Sequence, residues 1–314
     1  MSGIGFLFPG QGSQAVGMGQ EFYREGDVSK GIFDKADERL GYSLSSLMFD
    51  GPQDTLTLTY HAQPALLTAS TAILQEVKKA GIQPDFTAGH SLGEYSALVA
   101  AGVLSFEDAV YAVRKRGELM DQAVPAGQGA MAAVLGLSAS DLQEVTQTVT
   151  SQGKVVQLAN LNCPGQIVIS GTAEGVNAAC SLAKEKGAKR TIPLVVSGPF
   201  HSSLMKPAAE EFQKVLNTIS FHDASVKVIS NVSAQPVISS SDIVDSLIKQ
   251  LYSPVRWEES IKYMLNEGVT TFVEIGPGKV LSGLVKKIDR ETEVLSIHNK
   301  DSFALAMDKL KEEV

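Results

Sequence analysis

Gly89-His90-Ser91-Leu92-Gly93 is a G-x-S-x-G string, the spacing in which flanking glycines let a chain turn sharply enough to lift a serine oxygen clear of a sheet edge. Such a string arises by chance in roughly one chain in four or five of this glycine and serine content, so its surroundings decide its meaning. Asp85 to Ala88 reads as a brief strand entering it and Glu94 to Ala101 as an Ala-rich helix leaving it, the context a nucleophile elbow requires. A serine hydroxyl is a poor nucleophile until a base takes its proton. Five histidines could do so: His61, His90, His201, His222 and His298. His90 adjoins the serine and points elsewhere, and His61 and His222 read as surface or capping residues. His201 lies in the turn-rich Ser197-Gly198-Pro199-Phe200-His201-Ser202-Ser203. His298 follows the apolar Val294 to Ile297, where a hydrolase would carry its base. Position alone leaves His201 and His298 level.

Acyl chemistry at Ser91 also needs donors aimed at the developing oxyanion. The amide of Leu92 supplies one, and the loop Pro9-Gly10-Gln11-Gly12, which ends the apolar strand Ile4 to Phe8, is a candidate for the other through Gln11. That loop also fits the dinucleotide fingerprint, but the required second strand with an acidic end is missing: Gly31 to Leu40 is polar and helix-like. Ser105 to Met120 reads as a helix whose apolar stripe, Ala109, Val113 and Met120, includes Arg116, while Arg114 and Lys115 point away. An arginine in such a stripe either snorkels or binds an anion, and a carboxylate is the anion its fork fits. Gly276-Pro277-Gly278-Lys279 lacks Walker spacing and reads as a packing turn near the site. No metal-ligand spacing occurs, so no metal or cofactor is expected.

The elements that must position these residues alternate strand and helix. Gln63 to Ala80 is a helix with Pro64 near its first turn, Asp242 to Leu251 is another, and Val226 to Ile229 and Thr271 to Ile275 are strands. Between them, Met131–Leu137, Ser140–Val149, Val155–Leu161, Gln166–Ser170, Glu174–Lys186 and Arg190–Val195 read β-α-β-β-α-β, a ferredoxin-like unit. The expected fold is α/β: a discontinuous core of residues 1–127 and 197–314, interrupted by a subdomain at 128–196. With 314 residues, 44% apolar and 20% charged, the chain is globular rather than disordered or fibrous. Its net charge of −8 argues against nucleic acid or an anionic membrane as partner. Two cysteines, Cys163 and Cys180, and an amino terminus, Met1 to Gly5, without the basic and apolar regions of a leader make the cytoplasm the expected location.

Five segments together resemble a known family: Phe8-Pro9-Gly10-Gln11-Gly12-Ser13-Gln14, Gly89-His90-Ser91-Leu92-Gly93-Glu94, Asn162-Cys163-Pro164-Gly165-Gln166, His201-Ser202-Ser203-Leu204-Met205 and Glu274-Ile275-Gly276-Pro277-Gly278. In this order they are similar to the malonyl-CoA:acyl carrier protein transacylases of bacterial fatty-acid synthesis. The resemblance implies an α/β-hydrolase-like core with an inserted ferredoxin-like subdomain, and a malonyl-serine intermediate formed from malonyl-CoA and passed to the phosphopantetheine thiol of acyl carrier protein. It implies Ser91 as nucleophile, His201 as base, the main-chain carbonyl of Gln250 orienting that base, and the amides of Gln11 and Leu92 as oxyanion hole. It further implies Arg116 as the holder of the malonyl carboxylate, with Met120 and Asn162 lining the pocket and Phe200 favouring malonyl over methylmalonyl. Carrier proteins are acidic, so docking on an acidic chain must be local; Lys184, Lys186, Lys189, Arg190, Lys286, Lys287 and Arg290 are expected to line the cleft mouth. The rival readings are a serine esterase or thioesterase using His298, a transferase serving a polyketide pathway, and a non-catalytic binding module.

Overall fold

A computed structural model describes residues 3–312, so that Met1 and Ser2 of the amino-terminal stretch lie outside the described residues. Six strands form the main sheet: β1 (Gly3–Phe8), β2 (Phe86–Gly89), β7 (Lys227–Ile229), β8 (Pro236–Val237), β9 (Val269–Ile275) and β10 (Glu293–Ile297). Their order is β10-β9-β1-β2-β7-β8, with every pair parallel except β7 and β8. β1 and β2 are fully buried apolar runs over their last residues, as strands covered on both faces must be. Phe8 pairs with Gly89, so the glycine loop after β1 and the G-x-S-x-G turn after β2 leave the sheet side by side. Parallel strands bring their carboxyl ends to one rim, and a site assembles there.

The second sheet contains β3 (Gly129–Leu135), β4 (Val156–Cys163), β5 (Gln166–Thr172) and β6 (Arg190–Pro193) in the antiparallel order β4-β5-β3-β6, the ferredoxin-like arrangement. Helices Ala139–Ser151 and Ala173–Glu185 cover one face through an apolar cluster of their own, including Val134, Leu142, Ile169 and Ala179. Met131 and Val168, on the opposite pleat, pack into the main core. β6 stops at Pro193, two residues short of the expected end. Pro193 has no N–H to donate, and beyond it Leu194 gives one bond to Met131 before Val195 turns out to solvent, 98% exposed.

The long helix runs Thr59–Lys79 and starts four residues before the expected Gln63, which places Pro64 inside it rather than at its start. Proline leaves the carbonyl of Tyr60 without its intrahelical partner. Arg114 Nη1 takes that carbonyl at 3.0 Å. Gly117 makes the approach possible, since a Cβ there would meet Tyr60 Cα at 2.6 Å. Arg114 points away from the buried stripe of its helix, as expected, and finds its partners on other elements. Its guanidinium stacks on Tyr42 and Tyr60, contacts His61 and pairs with Glu118.

The elbow itself is packed backbone against backbone. A Cβ on Gly93 would lie 2.0 Å from the carbonyl oxygen of Phe8, and one on Gly89 would lie 1.9 Å from the backbone of Gly93. Gly283, by contrast, sits in the helix Val280–Ile288 with nothing near its would-be Cβ. Gly93→Ala is expected to lower stability by about 3 kcal/mol or more through overpacking, and Gly283→Ala to raise it by ~0.5–1 kcal/mol through lost unfolded-state freedom. Denaturant midpoints of the two variants against the parent chain check both signs.

Candidate active site

Ser91 is the first residue past β2 but one, and its backbone adopts φ 50°, a left-handed conformation unusual for a side chain with a Cβ. Two neighbours hold it there. Asn231, just beyond β7, accepts the Ser91 N–H on Oδ1 at 2.7 Å and donates Nδ2 to the carbonyl of Gly89 at 2.7 Å. Gln250 donates Nε2 to the Ser91 carbonyl at 3.1 Å. His201 is the second left-handed residue, at φ 58°, and its N–H is held by the carbonyl of Leu251 at 3.0 Å. Strain at two converging functional side chains costs of order 1–3 kcal/mol each and persists only where neighbours over-determine it.

The two side chains meet. Ser91 Oγ lies 2.8 Å from His201 Nε2, and His201 Nδ1 lies 2.8 Å from the carbonyl oxygen of Gln250. A carbonyl only accepts, so Nδ1 carries the proton and Nε2 offers its lone pair to the serine hydroxyl. Gln250 is the last residue of the helix Ser240–Gln250, where terminal carbonyls lack intrahelical partners and carry the negative end of the helix dipole. That carbonyl stands where a triad would place an aspartate. Burial, then the nearby Arg116 charge, hold His201 down to about 3, so the imidazole is neutral at physiological pH.

Arg116 is buried. Its Nη1 donates to Gln63 Oε1 at 2.8 Å, and its Nη2 donates to Gln250 Oε1 at 2.8 Å and to Ser91 Oγ at 3.1 Å, while Nε has no acceptor. All its acceptors are neutral, which leaves a buried cation able to gain from an incoming anion. The acid that acts on it through space is Glu94, itself buried and pushed up to about 7 by desolvation. A cavity of about 270 Å³ opens over Ser91 and is lined by Gln11, Leu92, Arg116, Met120, Met131, Phe200 and His201 among others. Among the described residues, neither the Gln11 nor the Leu92 backbone N–H is given to a protein acceptor, so both are free to donate to a ligand.

Several expectations need adjusting. Asn162 does not line the lobe over Ser91; Asn160 does, and Asn162 lines an adjoining lobe with Gln11, His90 and Gln166, its Oδ1 2.8 Å from His90 Nε2. His298 contacts Ser296 and Ser302, at the far edge strand of the sheet, and does not border the Ser91 cavity. None of the seven expected docking cations lines either lobe. Lys287 bonds Gln166, which lines the adjoining lobe, at 2.9 Å, while Lys186 pairs with Glu144 on the outer helices. Gly276 packs on Pro9, and Glu274 caps the helix Val280–Ile288 by accepting the N–H groups of Leu281 and Ser282. Asn231, Gln63 and the carboxylate of Glu94 were not foreseen. Asn231 could have been suspected from its place just past a parallel strand, and Glu94 from being a carboxylate amid an apolar helix. Among the described residues no cluster could hold a metal ion.

The model of the acyl transferase domain matches residues 5–302. The chain belongs to the acyl transferase family. A curated relative, the malonyl CoA-acyl carrier protein transacylase of Bacillus subtilis, is 64% identical over 313 residues, covering 100% of this chain and 99% of its own. The crystal structure of an acyl carrier protein S-malonyltransferase from Vibrio cholerae superposes with a TM-score of 0.95 at 47% identity, covering 97% of this chain and all of its own. A malonyl-transacylase solved in complex with its type II PKS acyl-carrier protein gives 0.95 at 42% identity, over 98% and 100% of the two chains. The acyl transferase thus shares with these proteins the hydrolase-like core and ferredoxin-like subdomain described above.

The depressed His201 has a measurable signature in this acyl transferase. As pH falls through the ordinary histidine range, about 6.5, the unfolded chain takes a proton at this residue that the native chain refuses, so stability is lost toward acid. His201→Gln should remove that loss. Urea unfolding at about pH 7 and about pH 5 is expected to show the parent falling relative to the variant; parallel changes in the two proteins would contradict a buried neutral imidazole.

Proposed function

We propose that the chain is an acyl-carrier-protein S-malonyltransferase, moving malonyl from malonyl-CoA to the phosphopantetheine thiol of acyl carrier protein and supplying fatty-acid synthesis. The observation that carries it is the meeting, on one serine oxygen, of a neutral histidine acceptor at 2.8 Å and a buried guanidinium donor at 3.1 Å. A simple esterase needs the first and has no use for the second. The names and the extent of the matches to the Bacillus subtilis and Vibrio cholerae proteins support the same reading.

In the first half-reaction Ser91 gives its proton to His201 Nε2 as Oγ attacks the thioester carbonyl. The oxyanion is met by the amides of Gln11 and Leu92, and the C–S bond breaks as His201 returns the proton to the CoA sulfur. In the second, the carrier-protein thiol gives its proton to His201 and attacks the serine ester, and Ser91 Oγ leaves with that proton. One thioester is exchanged for another, so the sequence runs either way and needs no cofactor. Arg116 donates to the malonyl carboxylate, with Met120 and Phe200 as the apolar wall. That anion also offsets the charge that lowers the basicity of His201, so a malonyl thioester raises the strength of the base that acts on it. An acetyl thioester leaves Arg116 with neutral partners only and does not.

Residues 128–196 form the inserted subdomain in this reading. Carrier-protein docking is assigned to its exposed Lys184, Lys186, Lys189 and Arg190 with Lys286, Lys287 and Arg290, none of which lines the cleft itself. Lys189 packs on Gly136, whose N–H meets Gly165 beside Gln166, so Lys189 and Lys287 flank one turn of β4–β5. Two free cysteines suit the cytoplasm, and no helix among the described residues is long and apolar enough to cross a membrane.

Intact mass spectrometry after incubation with malonyl-CoA is expected to show one added malonyl, lost in Ser91→Ala and His201→Ala and kept in His298→Ala; loss in His298→Ala alone would favour an esterase. Arg116→Ala should cut malonylation ~100-fold or more, the scale of a lost buried charge contact, and leave acetylation little changed. An unaltered malonyl-to-acetyl ratio removes Arg116 from the carboxylate role. Lys189→Glu with Arg190→Glu should raise the KM for carrier protein several-fold at low salt while sparing malonyl-CoA acylation; equal effects on both half-reactions would contradict that docking surface.

A further inference from the structure

One carboxylate lies behind both contacts that hold the Ser91 backbone. Glu94, one helical turn past the nucleophile and only 2% exposed, accepts Gln250 Nε2 on Oε2 at 2.5 Å and the Asn231 N–H on the same oxygen at 3.3 Å. Those two residues clamp Ser91 from both sides, Asn231 taking its N–H and Gln250 its carbonyl. Gln250 has a further duty, because its Oε1 faces Arg116. An amide can turn over, exchanging NH₂ for oxygen. Turned over, Gln250 would present its NH₂ to Arg116, donor against donor, and its oxygen to the Ser91 carbonyl. Glu94 accepts only, so its presence requires Nε2 to face it and Oε1 to face the guanidinium.

We propose that Glu94 is a positioning residue for acyl transfer, which as a carboxylate locks the Gln250 amide and the Asn231 backbone, and through them sets both the left-handed Ser91 and the orientation of Arg116. This rests on the proposed transferase chemistry at Ser91. It assigns Glu94 no contact with substrate. Packing alone would not select a carboxylate at a site where burial opposes the charge; a leucine or methionine would fill the space without that cost.

Glu94 makes the clamp on Ser91 sensitive to pH. The charged and titratable groups acting on Glu94 are Arg116, from the helix Phe106–Gln122, and Tyr95 on its own helix; Gln250 and Asn231 bring neutral amides. Desolvation dominates and sets Glu94 at about 7, whereas His201 lies at about 3. Protonation of Glu94 turns two charge-assisted bonds into neutral ones, about half as strong, and loosens the clamp. The rate of Ser91 malonylation therefore rises as pH increases through about 7, a limb that His201 cannot supply.

The test is single-turnover malonylation of the full chain by malonyl-CoA, followed by intact mass across pH. Wild type is expected to show the rising limb. Glu94→Gln keeps the shape and one acceptor oxygen, so its rate should be flat, ~10-fold below wild type at about pH 8 and near it at about pH 6, with the KM for malonyl-CoA within ~3-fold. Thermal midpoints confirm that the variant is folded. A wild-type profile flat through neutrality overturns the proposal without recourse to any variant. So does a folded Glu94→Gln enzyme that keeps both the limb and the wild-type rate. Wild-type protein that gains no malonyl mass would instead remove the transferase reading itself, which separates the two failures.

Discussion

The left-handed backbone of Ser91 is the constraint on which the rest of the site depends. A serine continuing β2 in extended geometry would bury its oxygen in the sheet; at φ 50° it turns the hydroxyl out to meet His201. The turn exists because three backbones approach more closely than side chains allow. Gly10 lies against the His90 carbonyl, Gly89 against Gly93, and Gly93 against the Phe8 carbonyl. The parallel pairing of Phe8 with Gly89 then brings Gln11 and Leu92 to the cavity that Ser91 lines. One strand pair and three glycines thus place the proposed nucleophile and both proposed oxyanion donors.

Charge is the second organising element. The site buries a guanidinium and a carboxylate that do not form a direct ion pair; Gln250 stands between them, donating to Glu94 and accepting from Arg116. A direct pair would satisfy Arg116 and leave it little reason to bind a substrate anion. With an amide interposed, the cation is solvated by neutral dipoles and keeps its affinity for a carboxylate. The same field, with burial, keeps His201 neutral and able to accept a proton. The helix-terminal carbonyl of Gln250 orients the imidazole without a second buried acid, so the negative charge in the site is reserved for Glu94 and for the proposed substrate.

The local signals in the sequence were those made by residues whose neighbours in the chain are also their neighbours in space. The G-x-S-x-G turn, the glycine loop after β1, the β-α-β-β-α-β alternation and the apolar stripe carrying Arg116 are of this kind. The place of Pro64 inside its helix is not a local signal, because the partner that compensates for its missing N–H, Arg114, lies on another helix. The fall of β6 at Pro193 and the turning of Arg114 toward Tyr42 and Tyr60 likewise depend on contacts far apart in sequence.

By itself the sequence determined the fold class, the elbow and the presence of an arginine out of place on an apolar face, because periodicity and glycine spacing are properties of short segments. It left His201 and His298 level on position, and only resemblance to a family separated them. The tertiary structure decided that His201 reaches Ser91, that Asn231 and Gln250 clamp its backbone, and that Asn160 rather than Asn162 lines the cavity over it. Those contacts join residues 49 to 159 positions apart. No local pattern encodes them, since the order in which strands pair and helices dock is what brings such residues within hydrogen-bond reach.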